Sequence, residues 1–182
     1  MPLRPTIKLI RKRPGRVKAA LASIRSLSNG PDRVKIGWPS GTDTDIVARA
    51  THNEFGTRGG ASGGGWGGPV PERPMLRSTM RANRGKYQHA MKAEMRGIVR
   101  AIVAGQRMDP EGILSRLGIL AQGDVQSTIT SLSSPPNSPV TIRLKGSSSP
   151  LIDTGEMRAR VSYSVEKSGG GLLSSVARSV FR

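Results

Sequence analysis

The sequence predicts an α+β fold with long helices, a few short strands and a long glycine loop. Three observations carry this. Apolar residues recur at helical spacing through 74–104 and again through 110–129. Val34, Ile36 and Trp38, and later Val161, Tyr163 and Val165, alternate with polar residues as half-buried strands do. Seven of the ten residues 59–68 are glycine, a composition that neither helix nor strand uses.

Residues 1–13 are expected to form an extended basic arm, with Pro2, Pro5 and Pro14 set against regular helix. From Gly15 to Ser28 the period is helical, and Val17, Ala20, Leu21, Ile24 and Leu27 fall on one expected inner face. Asn29-Gly30-Pro31 stops it with a turn signature. The strand through Trp38 follows, closed by Pro39-Ser40-Gly41.

A helix is expected over 44–55, with Asp43 or Thr44 as cap and Ile46, Val47, Ala50 and Phe55 facing inward. Gly56 ends it. The loop 56–73 surrounds a lone Trp66, and loops this long are commonly functional. Pro74 opens a helix that runs to about Ala104, weakened at Gly85. Asp109-Pro110-Glu111 starts the next: a capping acid, a first-turn proline, then a carboxylate at the positive end of the dipole. Ile113, Leu117, Leu120, Ala121, Val125 and Ile129 continue it. Val140-Thr141-Ile142-Arg143-Leu144 alternates and reads as a strand after a Ser/Pro/Asn loop. A last strand holds Val161, Tyr163 and Val165. Past a Ser/Gly linker, Leu172, Leu173, Val176, Val180 and Phe181 lie at helical spacing in a tail too short to be stable alone.

The 182 residues carry 29 Lys and Arg against 12 Asp and Glu, a net charge of +17. Eight cations precede the first acid, Asp32. A second cluster runs through Arg77, Arg81, Arg84, Lys86, Lys92, Arg96, Arg100 and Arg107, opposed only by Glu94. Such charge draws phosphate backbones or acidic protein surfaces. It reads no base sequence, and two each of Trp, Tyr and Phe make no stacking platform. Arg11, Lys12, Arg13, Arg96 and Arg100 are the expected contacts to DNA or an acidic partner. Only 35% of residues are hydrophobic, so a thin core is expected, completed by neighbours.

The absence of cysteine excludes disulfides, thiolate chemistry and Cys-type zinc sites. Two histidines 37 residues apart argue against a His-based metal or catalytic site, and no cofactor is expected. No apolar run is long enough for a membrane span, and no signal-peptide core follows the basic start. The glycine loop lacks the strand, helix and Lys-Ser/Thr pair of a phosphate cradle. Asp153-Thr154-Gly155 resembles the active-site segment of aspartic proteases, in which two aspartates share a proton. Here Met157-Arg158-Ala159-Arg160 replaces the apolar-apolar-Gly brace of that family. The simpler reading makes Asp153 the cap of a short helix, with Glu156 completing a capping box.

The order of segments is informative. Asn53-Glu54-Phe55-Gly56 precedes the glycine loop. Val70-Pro71-Glu72-Arg73-Pro74-Met75-Leu76-Arg77 follows it. Pro135-Pro136-Asn137-Ser138-Pro139 and Leu151-Ile152-Asp153-Thr154-Gly155-Glu156-Met157-Arg158 come later. Over roughly residues 33–166 this resembles the tail-completion (neck, virion-morphogenesis) proteins of long-tailed bacteriophages. The resemblance implies a non-enzymatic virion protein with a small, mostly antiparallel sheet packed by one or two long helices. Copies would form a ring, six by the tail's symmetry or twelve at the portal side. It would lie between a portal-side connector or head-completion protein and the tail terminator or tube, after assembly in the host cytoplasm. Three parts are then expected: a basic arm and short helix (1–32), a core domain (33–166), and a linker with docking tail (167–182). Trp66, Leu172, Leu173, Val176, Val180 and Phe181 are the expected contacts to neighbouring copies or neck proteins. The competing readings are a basic nucleic-acid-binding or packaging protein and a dimeric aspartic protease.

Overall fold

The computed structural model describes residues 14–58, 69–106 and 108–167. Arg11, Lys12, Arg13, Trp66 and the tail residues Leu172, Leu173, Val176, Val180 and Phe181 lie outside them, as do residues 59–68 of the loop. The order is α1 (Pro14–Asn29), β1 (Arg33–Gly37), α2 (Thr44–Phe55), α3 (Met75–Ala82), α4 (Arg84–Ala104), α5 (Pro110–Ser131), α6 (Pro139–Lys145), α7 (Glu156–Ala159) and β2 (Ser162–Glu166). It is an α+β fold, mostly helical, with a two-stranded antiparallel sheet.

α5 is the spine. Asp109 caps it, accepting from the Glu111 and Gly112 amides at 3.0 and 3.1 Å, and Pro110 occupies the first turn. Beyond Pro110, itself buried, its buried residues are Ile113, Leu114, Gly118, Ala121, Val125 and Ile129, spaced to face one side. The two ends of α5 serve two cores. Ile113 and Leu114 join Leu27 of α1 and Ile98 of α4. Val125 and Ile129 join Ile46 and Ala50 of α2, Met75 of α3, and Leu151, Met157 and Val161.

The β-ribbon bridges the two. Val34 pairs with Val165 and both pack on the α1–α4 core; Ile36 pairs with Tyr163 and packs on the other. Gly118 lets the ribbon approach α5: a Cβ there would sit 2.4 Å from the Tyr163 ring. Trp38 leaves the strand and its Nε1 donates to the Met157 carbonyl at 2.9 Å.

Several expectations are corrected. The long helix from Pro74 breaks at Asn83, not at Gly85; the Asn83 side chain donates to the Thr79 carbonyl at 3.1 Å and competes with continued helix. Pro74 stands just before α3 as its cap position rather than within its first turn. Residues 140–144 are helical, not a strand. The Ser138 hydroxyl caps the first turn, Pro139 opens it, and Gly146 closes it in the left-handed conformation. No residue of α6 is buried, so its alternating pattern meets no sheet. On α1 only Leu27 of the expected face is fully buried, and Ser23 joins it, bonded to the Gln106 carbonyl at 2.9 Å. Val17, Leu21 and Ile24 are exposed. On α2, Ile46 and Ala50 face inward, but Val47 and Phe55 are exposed and Glu54 is buried.

Candidate functional site

Three separated segments close into a clasp at the base of the glycine loop. It is built on the C-terminal turn of α2 and the start of α3. Glu54 is 3% exposed, and its carboxylate accepts from the Leu76 and Arg77 amides at 2.8 and 2.9 Å. These are orphan donors of the first turn of α3, where an anion is favoured by the helix dipole. The next residue, Arg77, folds back. Its Nε donates to the same carboxylate at 3.1 Å, its Nη2 donates to the Glu54 carbonyl and to Glu72, and its guanidinium lies 5.0 Å from the centre of the Phe55 ring. Those hydrogen bonds hold Arg77 charged more firmly than usual. Phe55 is therefore a platform for Arg77 at the surface, not a core residue.

Arg73 closes the other side and is 5% exposed. Its amide donates to the Asn53 carbonyl at 2.6 Å and its Nη1 to Asn53 Oδ1 at 3.2 Å. Its Nε reaches the Pro135 carbonyl at 2.8 Å, and Nη2 reaches the Pro136 carbonyl at 2.9 Å and Asn137 Oδ1 at 3.3 Å. Burial lowers its pKa. Arginine stays charged even so, and five fixed donors suit it to a cage of carbonyls. Prolines favour this partnership, because a proline carbonyl still accepts although its nitrogen donates nothing.

The loop is pinched at its base. The Thr57 amide donates to the Val70 carbonyl, and the Val70 amide to the Thr57 hydroxyl, both at 2.9 Å. Gly56 turns the chain there with φ 69°, and a Cβ on it would lie 3.1 Å from the Val70 carbonyl oxygen.

Beside the clasp is a small cleft of about 180 Å³ whose lining includes Arg49, Asn53, Lys145, Asp153, Thr154 and Glu156. Pockets for drug-sized ligands run to roughly 300–1,000 Å³. Lys145 donates to the Ser149 carbonyl at 2.8 Å; burial lowers its pKa, Asp153 opposes the shift and Arg73 adds to it. Asp153 is exposed and does not cap a helix. Gly155, at φ 83°, stands at the cap position of α7, and it is Thr154 whose hydroxyl accepts from the Glu156 amide, at 3.4 Å. The capping box expected from Asp153 and Glu156 does not form.

A basic ridge lies elsewhere, on the solvent face of α4. Lys92, Arg96 and Arg100 stand one turn apart, all exposed. None of them has an ion pair among the described residues. The one acid of this helix, Glu94, is taken by Arg116 of α5 through two bonds at 2.8 and 2.7 Å. Among the described residues no group of three His, Cys, Asp or Glu could hold a metal ion, and no helix is long and apolar enough to cross a membrane.

The structure brings Asn53, Glu54, Phe55, Gly56, Arg73 and Pro74 together, and Asp153, Thr154 and Gly155 line or flank the neighbouring cleft. Arg96 and Arg100 belong to a different face. Arg77 was the residue whose role sequence reasoning missed. No local pattern marks it, because Arg77 lies 23 residues beyond its buried partner Glu54. No family of known proteins, no curated protein and no solved structure matches the chain.

Proposed function

We propose that this chain is a structural protein of a tailed bacteriophage. It takes its place in a ring in the neck, completes the tail and joins it to the DNA-filled head. The observation that carries the reading is the clasp. Two of the segments on which the resemblance to tail-completion proteins rests, Asn53–Gly56 and Pro71–Pro74, meet there through Arg73 and Glu54, and the third, Leu151–Gly155, lines the cleft beside them. Such a clasp holds both ends of a long loop on a rigid base, which suits a loop that contacts a neighbouring subunit. The argument for function is one of family likeness joined to a shared local architecture.

Labelling tests the reading. A small gold label on this chain should appear on purified virions at the head–tail junction, in a symmetric ring. Label confined to the capsid interior, or absent from virions, contradicts it.

The second reading is a basic protein that packages or binds nucleic acid, and the exposed ridge of Lys92, Arg96 and Arg100, which has no ion pair among the described residues, favours it. That reading demands tight duplex binding that falls steeply with salt. The neck reading expects weak, sequence-independent binding at physiological salt.

A further inference from the structure

One stripe of α4 changes character along its length. Lys92, Arg96, Val99 and Val103 follow one another at steps of four, three and four, so they stand in line on the helix surface. All four are exposed, with exposed Arg100 beside them. The first half of the line is cationic and the second half apolar. Val99 is 58% exposed, and Val103, at 75%, is the most exposed large apolar residue among those described.

The fold supplies this stripe with no counter-charge among the described residues. α5 packs on the other flank of α4, where Asp124 pairs with Lys86 at 2.6 Å and Arg116 takes Glu94 at 2.7 Å. Glu94 is the only acid in α4, so no carboxylate of the helix is left for Lys92, Arg96 or Arg100. Charge in the line names the occupant, which a bare apolar stripe such as Val17, Leu21 and Ile24 of α1 does not do.

We propose that this stripe seats an acidic, amphipathic helical segment of another protein. Its carboxylates lie over Lys92, Arg96 and Arg100, and its apolar side chains cover Val99 and Val103. From Lys92 to Val103 the stripe is about 16 Å long, so the segment is about three turns. The cations alone would serve a DNA duplex equally well, because phosphate is held by charge. The valines decide against it. Phosphate and sugar give them nothing apolar to bury against, and the cations stop where the stripe turns apolar. Apolar side chains bordered by arginine are the make-up of a protein interface. A second copy of this chain fits less well. It carries the same +17 charge, and stripe on stripe would set cations against cations or against bare valines. The inference concerns α4 alone and does not depend on the virion role.

Binding to the full chain is measured with four probes. These are a helical peptide with a leucine stripe flanked by glutamates, the same peptide with serine at each leucine, a mixed-sequence DNA duplex, and vesicles containing phosphatidylglycerol. The Glu/Leu peptide should bind at least about tenfold more tightly than the Glu/Ser peptide. Val99→Ser with Val103→Ser leaves the charge intact. It should weaken the Glu/Leu peptide about tenfold and leave duplex affinity unchanged. Arg96→Gln with Arg100→Gln should weaken both. No binding of the Glu/Leu peptide, equal affinity for the two peptides, or no effect of the serine changes overturns the proposal. So does duplex or vesicle binding that falls with the serine changes, which would give the stripe to nucleic acid or to an anionic membrane. Self-association abolished by those changes would give it to a second copy and overturn the proposal too. The chain has no cysteine, so Val103→Cys supplies a single thiol. It should react with a maleimide nearly as fast as in the unfolded chain. Protection of that thiol in the free chain would mean that the chain covers its own stripe, which also overturns the docking.

Discussion

Arg73 and Asn53 hold each other twice, backbone to backbone at 2.6 Å and guanidinium to side-chain oxygen at 3.2 Å. The two residues flank the glycine loop, so this contact decides where the loop begins and ends. The same guanidinium reaches the Pro135 and Pro136 carbonyls, which ties the loop base to the chain after α5.

Arg73→Ala should therefore act on three segments at once. Hydrogen bonds to a charged group contribute about 1.5–3 kcal/mol each when truncation leaves buried partners unsatisfied. The bonds of one side chain are not additive, so the expected loss is about 3 kcal/mol in denaturant unfolding. Amide exchange should rise near Thr57 and Val70 while the α4–α5 pairing stays protected. Arg73→Lys should recover little, since one ammonium cannot reach all the acceptors.

Gly118→Ala probes the ribbon. An added Cβ would meet the Tyr163 ring at 2.4 Å, so either the ring or β2 must shift. Overpacking of this kind costs about 1–3 kcal/mol. Adding Tyr163→Ala should relieve part of that loss in a double-mutant cycle, and strict additivity of the two changes would contradict the contact.

The Glu94–Arg116 pair gives a pH dependence. Hydrogen bonding to Arg116 holds the Glu94 carboxyl below its usual value. A depressed carboxyl contributes stability that is fully present above the unfolded pKa, about 4.3 for glutamate. That contribution is lost as pH falls through the lower folded value. Both partners are partly exposed, so it amounts to under about 1 kcal/mol. The difference in stability between the native chain and Glu94→Gln should shrink as pH falls from 6 to 3. A difference that grows toward acid would contradict the pairing.

Charge reversal at the ridge separates surface from fold. Arg96→Glu with Arg100→Glu should leave the unfolding midpoint nearly unchanged, because neither side chain has a described partner and both are exposed. On the neck reading, particles carrying the pair should lose DNA retention or head–tail joining. Normal particles would show that the ridge meets neither DNA nor an acidic neighbour.

Much of this architecture was legible locally. Asp109-Pro110-Glu111 announces α5 because capping, proline and dipole preferences agree there. The two strands were legible from alternation, but their pairing was not, because it joins residues far apart in sequence, 131 positions in the case of Val34 and Val165. Residues 140–144 misled because a period-two pattern of five residues is also compatible with one exposed helical turn and a half; Ser138, Pro139 and Gly146 decided the matter locally. Phe55 was expected inside, but Glu54 is the buried residue of that turn, and its burial could not be read locally because a buried carboxylate is favourable only with donors, here from α3, 22 and 23 residues away. The segments of the clasp could be named from the sequence, whereas the side chains that join them could not.

The most direct measurement is electron microscopy of particles made without this protein. The neck reading predicts filled heads alongside separate, finished tails, and joined infectious particles once the protein is restored. Intact, joined particles formed in its absence would contradict it.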